Sequence, residues 1–172
     1  ETYIPLLKTF QKLIDEKINF KITMSLTPPL LNMLDNELLK TRYIDYLNKH
    51  IELAEKEVKR NANNKDLLVL SEYYLNRYCS DLNFFKDYLN CDLISNFKYF
   101  QELGVLEIIT CGATHGYFPI LYTSPETVRA QIGAAVNCYK KYFDRLPKGI
   151  WLPECGYIPE VDKYLNEFGI KY

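Results

Sequence analysis

Glycine and proline are scarce, 7 and 8 of 172 residues, so neither a fibrous nor a disordered chain is written here. No charge of one sign dominates. The 21 Lys+Arg against 22 Asp+Glu leave a formal charge of −1, and that balance supplies no excess to drive binding to phosphate backbones or anionic lipid. Nucleic acid and membrane surfaces are thereby excluded as expected partners. No apolar run approaches the roughly 20 residues that span a bilayer, and the opening at Glu1 follows a helical pattern rather than that of a signal peptide. Cys79, Cys91, Cys111, Cys138 and Cys155 are odd in number, widely spaced and without a CxxC pair, against both a disulfide framework and a structural zinc site. A reducing, cytoplasmic setting is the expectation. The sequence also lacks an initiator Met and ends on Gly169-Ile170-Lys171-Tyr172, which reads as a strand just begun, so an internal segment of a longer protein is expected.

What is present is an ordinary globular composition, 48% hydrophobic and 25% charged. Ile4, Leu7, Phe10, Leu13, Ile14 and Ile18 recur at helical spacing, and Phe20 to Leu26 is short and β-rich. Thr27-Pro28-Pro29 stops that strand, and Pro29 suits the first position of a short helix. From about 36 to 100 the pattern is helical, interrupted at Asn61-Ala62-Asn63-Asn64, with Glu52–Lys56 and Glu55–Lys59 spaced for i,i+4 pairs on a solvated face. The rhythm then becomes strand (Leu106 to Cys111), loop, helix from the N-cap Ser124, strand (Gly149 to Leu152), and a short helix from Pro159. Alternation of this kind predicts parallel βαβ connections in an α/β sheet or barrel. Chemistry in such folds gathers at the carboxyl ends of strands. Ser25 to Thr27, Thr110 to His115, and Glu154 all fall at such ends.

Glu154, in WLPECGY, follows Pro153 directly after an apolar strand, with Trp151 and Tyr157 close by. A carboxylate there can be a nucleophile or an acid/base group beside aromatics that stack on sugar rings. Equally, it can be a turn residue or half of an ion pair. His115 lies in CGATHG, with glycines on both sides that let the backbone turn tightly. It can bond a substrate hydroxyl or a carboxylate, or be a buried histidine satisfied by backbone. His50 is expected to face solvent, and Cys155 to be a small packing residue.

Four stretches in order, ETYIPLL (from Glu1), MSLTPPLL (from Met24), TCGATHGYFPIL (from Thr110) and KGIWLPECGYIPEVDKYL (from Lys148), resemble glycoside hydrolase family 57, and within it the α-1,4-glucan branching type. The resemblance covers essentially the whole chain. It implies part of a distorted seven-stranded (β/α)7 barrel over residues 1–172, with a mainly helical insertion at about 36–100. It further implies retaining chemistry on α-1,4-glucan, as amylose or a glycogen-like polymer, without metal or organic cofactor. Glu154 would be the catalytic nucleophile, His115 would bind the sugar next to the cleaved bond, and Trp151 and Tyr157 would line the pocket.

The family's His-x-His motif and its aspartate acid/base are not among these residues, the latter being expected after Tyr172. The segment alone is therefore expected to be inactive. Branching is the leading expectation. A family 57 α-amylase or 4-α-glucanotransferase comes next, then a non-catalytic carbohydrate-binding barrel, and a metal-dependent deacetylase-like barrel is disfavoured because no Asp/His ligand cluster is present. Open barrel edges invite pairing with another copy, so self-association is expected.

Overall fold

The computed structural model describes residues 2–172; Glu1, the first residue of ETYIPLL, lies outside the described residues. The chain divides into two compact units. One runs to Lys17 and resumes over Leu34–Asn96; the other comprises Ile18–Met33 and Phe97–Tyr172.

The first unit is helical. In α1 (Tyr3–Asp15) the residues Ile4, Leu7 and Phe10 form the buried stripe. Lys17 ends it in the left-handed region at φ 55°, its N–H bonding Ile14 O, so Ile18 falls beyond the helix and is exposed. The helix α2 (Pro28–Asp35) begins one residue earlier than expected, at Pro28, and belongs to both units in sequence.

Asn36 and Asn64 cap α3 (Glu37–Arg60) and α4 (Lys65–Asn83), each side chain accepting from the backbone N–H three residues on. Lys8 bonds both Ser80 and Asp81, tying α1 to α4. Among the described residues the ion pairs on α3 are Glu37–Lys40 and Glu57–Arg60, in place of the expected i,i+4 pairs. His50 does not face solvent freely. Its Nδ1 lies 2.8 Å from Tyr46 O and its ring is 3.9 Å from the Tyr46 ring, which half-buries it. A π-helical turn at Phe84–Tyr88 and positive φ at Asn90 and Cys91 separate α4 from α5 (Leu93–Glu102), a break the aromatic-rich pattern did not announce.

The second unit is built on a parallel sheet of order β1 (Ile22–Ser25), β2 (Leu106–Cys111) and β3 (Ile150–Trp151). Ile22 pairs with Leu106 and Ser25 with Ile109, then Thr110 with Ile150. The first strand is shorter than expected because Gly104, at φ 73°, turns the chain just ahead of β2, so β1 finds its partner strand only from Ile22. The end of the chain continues the pattern, with Ile150 N–H bonding Tyr172 O and Lys171 N–H bonding Lys148 O.

A four-residue helix, α6 (Phe118–Leu121), precedes α7 (Pro125–Phe143). The latter buries the stripe read from the sequence: Val128, Ile132, Val136, Tyr139 and Phe143. Ser124 stands at its N-cap, but the hydroxyl makes no capping bond. Phe118, Val128, Ile132, Val136, Ile150, Val161, Tyr164 and Ile170 close one core that reaches across β3 to α8 (Asp162–Glu167). Fully burying such a side chain is worth about 1.5–3 kcal/mol each, so this core sets the distance between the β2 and β3 loops. Tyr139 donates to Ile108 O and accepts from Gln101, fastening α7 to the middle of β2. Among the described residues no helix is long and apolar enough to cross a membrane.

Candidate active site

Because the three strands are parallel, their carboxyl ends share one edge, where two loops meet. The first leaves β2 at Cys111. Gly112 sits in tight space: a Cβ there would lie 3.0 Å from both the Phe118 ring and Pro153 Cγ. The chain then tightens, His115 N–H bonding Gly112 O, and His115 takes a left-handed φ of 58°. Gln131 of α7 clamps this loop from outside. Its main-chain oxygen accepts from Ala113 N–H, its Oε1 accepts from Thr114 N–H at 2.8 Å, and its Nε2 donates to Thr114 Oγ1 at 2.7 Å.

The second loop is a 3₁₀ turn, Pro153–Cys155, directly after β3. Glu154 and Cys155 are both left-handed, at φ 51° and 54°, and the turn closes with Gly156 N–H on Pro153 O. Two consecutive non-glycine residues in this region carry strain of order 1–3 kcal/mol each, which the surrounding structure must offset. Gly156 completes the interlock, since a Cβ there would overlap the Tyr117 ring of the first loop.

These loops bring His115 Nε2 to 3.2 Å from Glu154 Oε1. The two residues expected to carry chemistry are therefore neighbours, 39 positions apart in sequence. Glu154 is open to solvent, its side chain 74% exposed, and His115 is half-exposed, so a ligand can reach both. This overturns the reading of His115 as a buried histidine satisfied by backbone.

On the other side of the ring, Cys111 Sγ lies 3.2 Å from Nδ1. Burial pushes the Cys111 thiol pKa up, keeping the proton on sulfur, while the Gly112 backbone works in the opposite sense. Trp151 ends β3 and is half-exposed; Tyr157 is exposed and its hydroxyl donates to Asp162. Cys155 is exposed rather than packed, held outward by the same turn that presents Glu154. Cys111 and Gln131 were not singled out in the sequence, and no spacing rule marks them, since both act through contacts that only the folded loops create. Among the described residues no group of three or more His, Cys, Asp or Glu side chains could hold a metal ion.

The chain that sets this carboxylate and imidazole at the carboxyl edge of a parallel sheet matches, over residues 1–172, the family model Glycosyl hydrolase family 57. The chain belongs to glycosyl hydrolase family 57, and its sheet and helices are part of that family's (β/α)7 barrel. Among its relatives is the 1,4-alpha-glucan branching enzyme TK1436 of Thermococcus kodakarensis, 35% identical over all of this chain and 27% of the relative. The chain thus spans about a quarter of that relative's length.

Among solved structures, the alpha-amylase AmyC of Thermotoga maritima matches with a TM-score of 0.92 and 42% identity, over 99% of this chain and 32% of that one. TK1436 in complex with glucose and additives matches at 0.91 and 34%, over 99% and 33%. The branching enzyme of Pyrococcus horikoshii matches at 0.91 and 29%, over 99% and 34%.

Proposed function

We propose that this chain carries the nucleophile of a retaining α-glucan-active site, and that the reaction is transfer of an α-1,4-linked segment to form an α-1,6 branch. The observation that carries the reading is Glu154. Its carboxylate is held on a strained turn at the carboxyl edge of the sheet, open to solvent, with His115 Nε2 at 3.2 Å.

In the first step a Glu154 oxygen attacks the anomeric carbon as the glycosidic C–O bond breaks and an acid delivers a proton to the departing 4-oxygen. In the second, the 6-hydroxyl of an acceptor sugar attacks the glycosyl ester, gives its proton to the same acid/base group and releases the carboxylate. That group must be a second carboxyl about 5–5.5 Å away. An aspartate elsewhere in the protein is the proposed source. His115 restrains one oxygen of Glu154 and stands where the sugar beside the cleaved bond would meet it, with Trp151 and Tyr157 offering ring faces.

Hydrolysis is the second reading, favoured by the 42% identity to a protein described as an alpha-amylase. Branching is supported by the relatives described as branching enzymes.

The test is incubation of the native protein and its Glu154→Gln variant with amylose, scoring new α-1,6 linkages and released reducing ends. New branches are expected, falling on the order of a thousandfold or more in the variant. Reducing ends without branches would establish hydrolysis instead. Full activity in Glu154→Gln would remove Glu154 from the chemistry.

A further inference from the structure

Cys111 is a buried thiol, 1% exposed, that the proposed reaction does not use, yet it touches the His115 imidazole. We infer that Cys111 is a positioning residue: its S–H donates to His115 Nδ1, fixing the ring proton on Nε2 and aiming it at Glu154 Oε1. This inference rests on Glu154 being the nucleophile, and extends that reading to the group behind the imidazole.

Along this row donors and acceptors must match. An ionised carboxylate only accepts, so at 3.2 Å from Oε1 the ring nitrogen Nε2 must donate. In a neutral imidazole the other nitrogen then carries a lone pair and needs a donor. Cys111 Sγ is 3.2 Å from Nδ1, where its S–H is the donor within reach. Burial holds that proton on sulfur.

The geometry is set from both sides. Cys111 is fixed by pairing with Trp151 across β2 and β3, and His115 by its left-handed backbone and the Gln131 clamp on the preceding residues. The row Cys111–His115–Glu154 therefore fixes the ring's tautomer and the restrained oxygen of the carboxylate, leaving the other oxygen for the anomeric carbon.

The test joins a spectroscopic readout to a kinetic one. The native protein is labelled with ¹⁵N-histidine, and the His115 signals are assigned by their loss in His115→Gln. At alkaline pH the wild type is expected to show a single tautomer, protonated at Nε2 with Nδ1 bare. Cys111→Ala should draw the two nitrogen shifts together, toward exchanging tautomers, and lower kcat/KM about tenfold, the worth of one hydrogen bond. Cys111→Ser keeps a donor at the same place and should restore both the separated shifts and turnover to within about threefold of wild type.

An Nδ1-protonated ring in the wild type, or unmoved shifts in Cys111→Ala, would overturn the inference. Should the alanine variant fail to fold, the wild-type tautomer and the serine variant decide alone. Retained turnover in Glu154→Gln would sink the nucleophile reading while the ring shifts still report on the thiol. Lost turnover in Glu154→Gln with unmoved shifts in Cys111→Ala would sink only the positioning role.

Discussion

A single methyl group separates tolerance from damage in the loop after β2. Gly112 has no positive φ, so its necessity is purely steric: the space its Cβ would take belongs to Phe118, which is fully buried, and to Pro153, which begins the turn bearing Glu154. Gly112→Ala must push one or both away. Forcing extra volume into a packed core costs about 1–3 kcal/mol, which for a chain of this size is a fall in Tm of roughly 3–10 °C. The expected outcome by calorimetry is a loss in that range. Because Pro153 is one of the two neighbours, turnover of the whole protein on amylose should fall further than the lost stability explains. A variant with wild-type Tm would show that the loops give way more easily than their packing implies. Residues of this kind are poorly legible in sequence. The glycines of CGATHG were read as freedom to turn, whereas Gly112 is there for lack of room, and the left-handed turn at Glu154 was invisible because neither Glu nor Cys advertises a positive φ.

At the scale of elements, α7 does two jobs that its sequence shows unequally. Its buried stripe was readable in full, since Val128, Ile132, Val136, Tyr139 and Phe143 recur at helical spacing and all are buried. The strand β2 was readable to the residue, because an apolar run closed by Gly104 and Gly112 has little choice of limits. Gln131 was not, for a polar residue beside a buried stripe is ordinary, and its contact with Thr114 depends on how the loop folds back. That contact separates into parts. Ala113 N–H bonds the Gln131 main chain, which survives any substitution, while Thr114 N–H bonds the side chain, which does not. In Gln131→Ala, amide hydrogen exchange at Thr114 should quicken about tenfold, the loss of one hydrogen bond of about 1 kcal/mol or slightly more. Exchange at Ala113 should stay slow. Equal acceleration at both would mean that the whole loop, rather than the Gln131 side chain, had come loose.

Across the whole molecule the chain changes unit at Lys17, Met33 and Asn96, so the paired strands β1 and β2 are separated in sequence by Leu34–Asn96 of the helical unit. The alternation of strand and helix was legible because each element carries its own period. That the segment ending at Lys17 groups with Leu34–Asn96 was not, since it depends on contacts distant in sequence. The units also differ in chemistry. Cys111, Cys138 and Tyr139, all in the sheet unit, have pKa values raised by burial. Tyr157 of the same unit is raised first by its bond to Asp162. For such groups the folded chain holds the proton more tightly than the unfolded one. Their contribution is therefore intact below the unfolded value and is lost as pH climbs from there toward the folded value. The loss should begin near the ordinary thiol value of about 8.5 and steepen past the ordinary phenol value of about 10. Trp151, the one tryptophan, lies in this unit and reports on it by fluorescence. Urea midpoints followed at Trp151 should hold steady from pH 7 to 8 and fall progressively toward pH 10.5. Replacing Cys111 and Cys138 together by serine, which does not ionise in this range, should remove the early part of the decline and leave the later part, which belongs to the tyrosines. A midpoint flat across the whole interval, or a decline of the same shape in the double variant, would show that these two thiols play no part in the alkaline limit of the sheet unit.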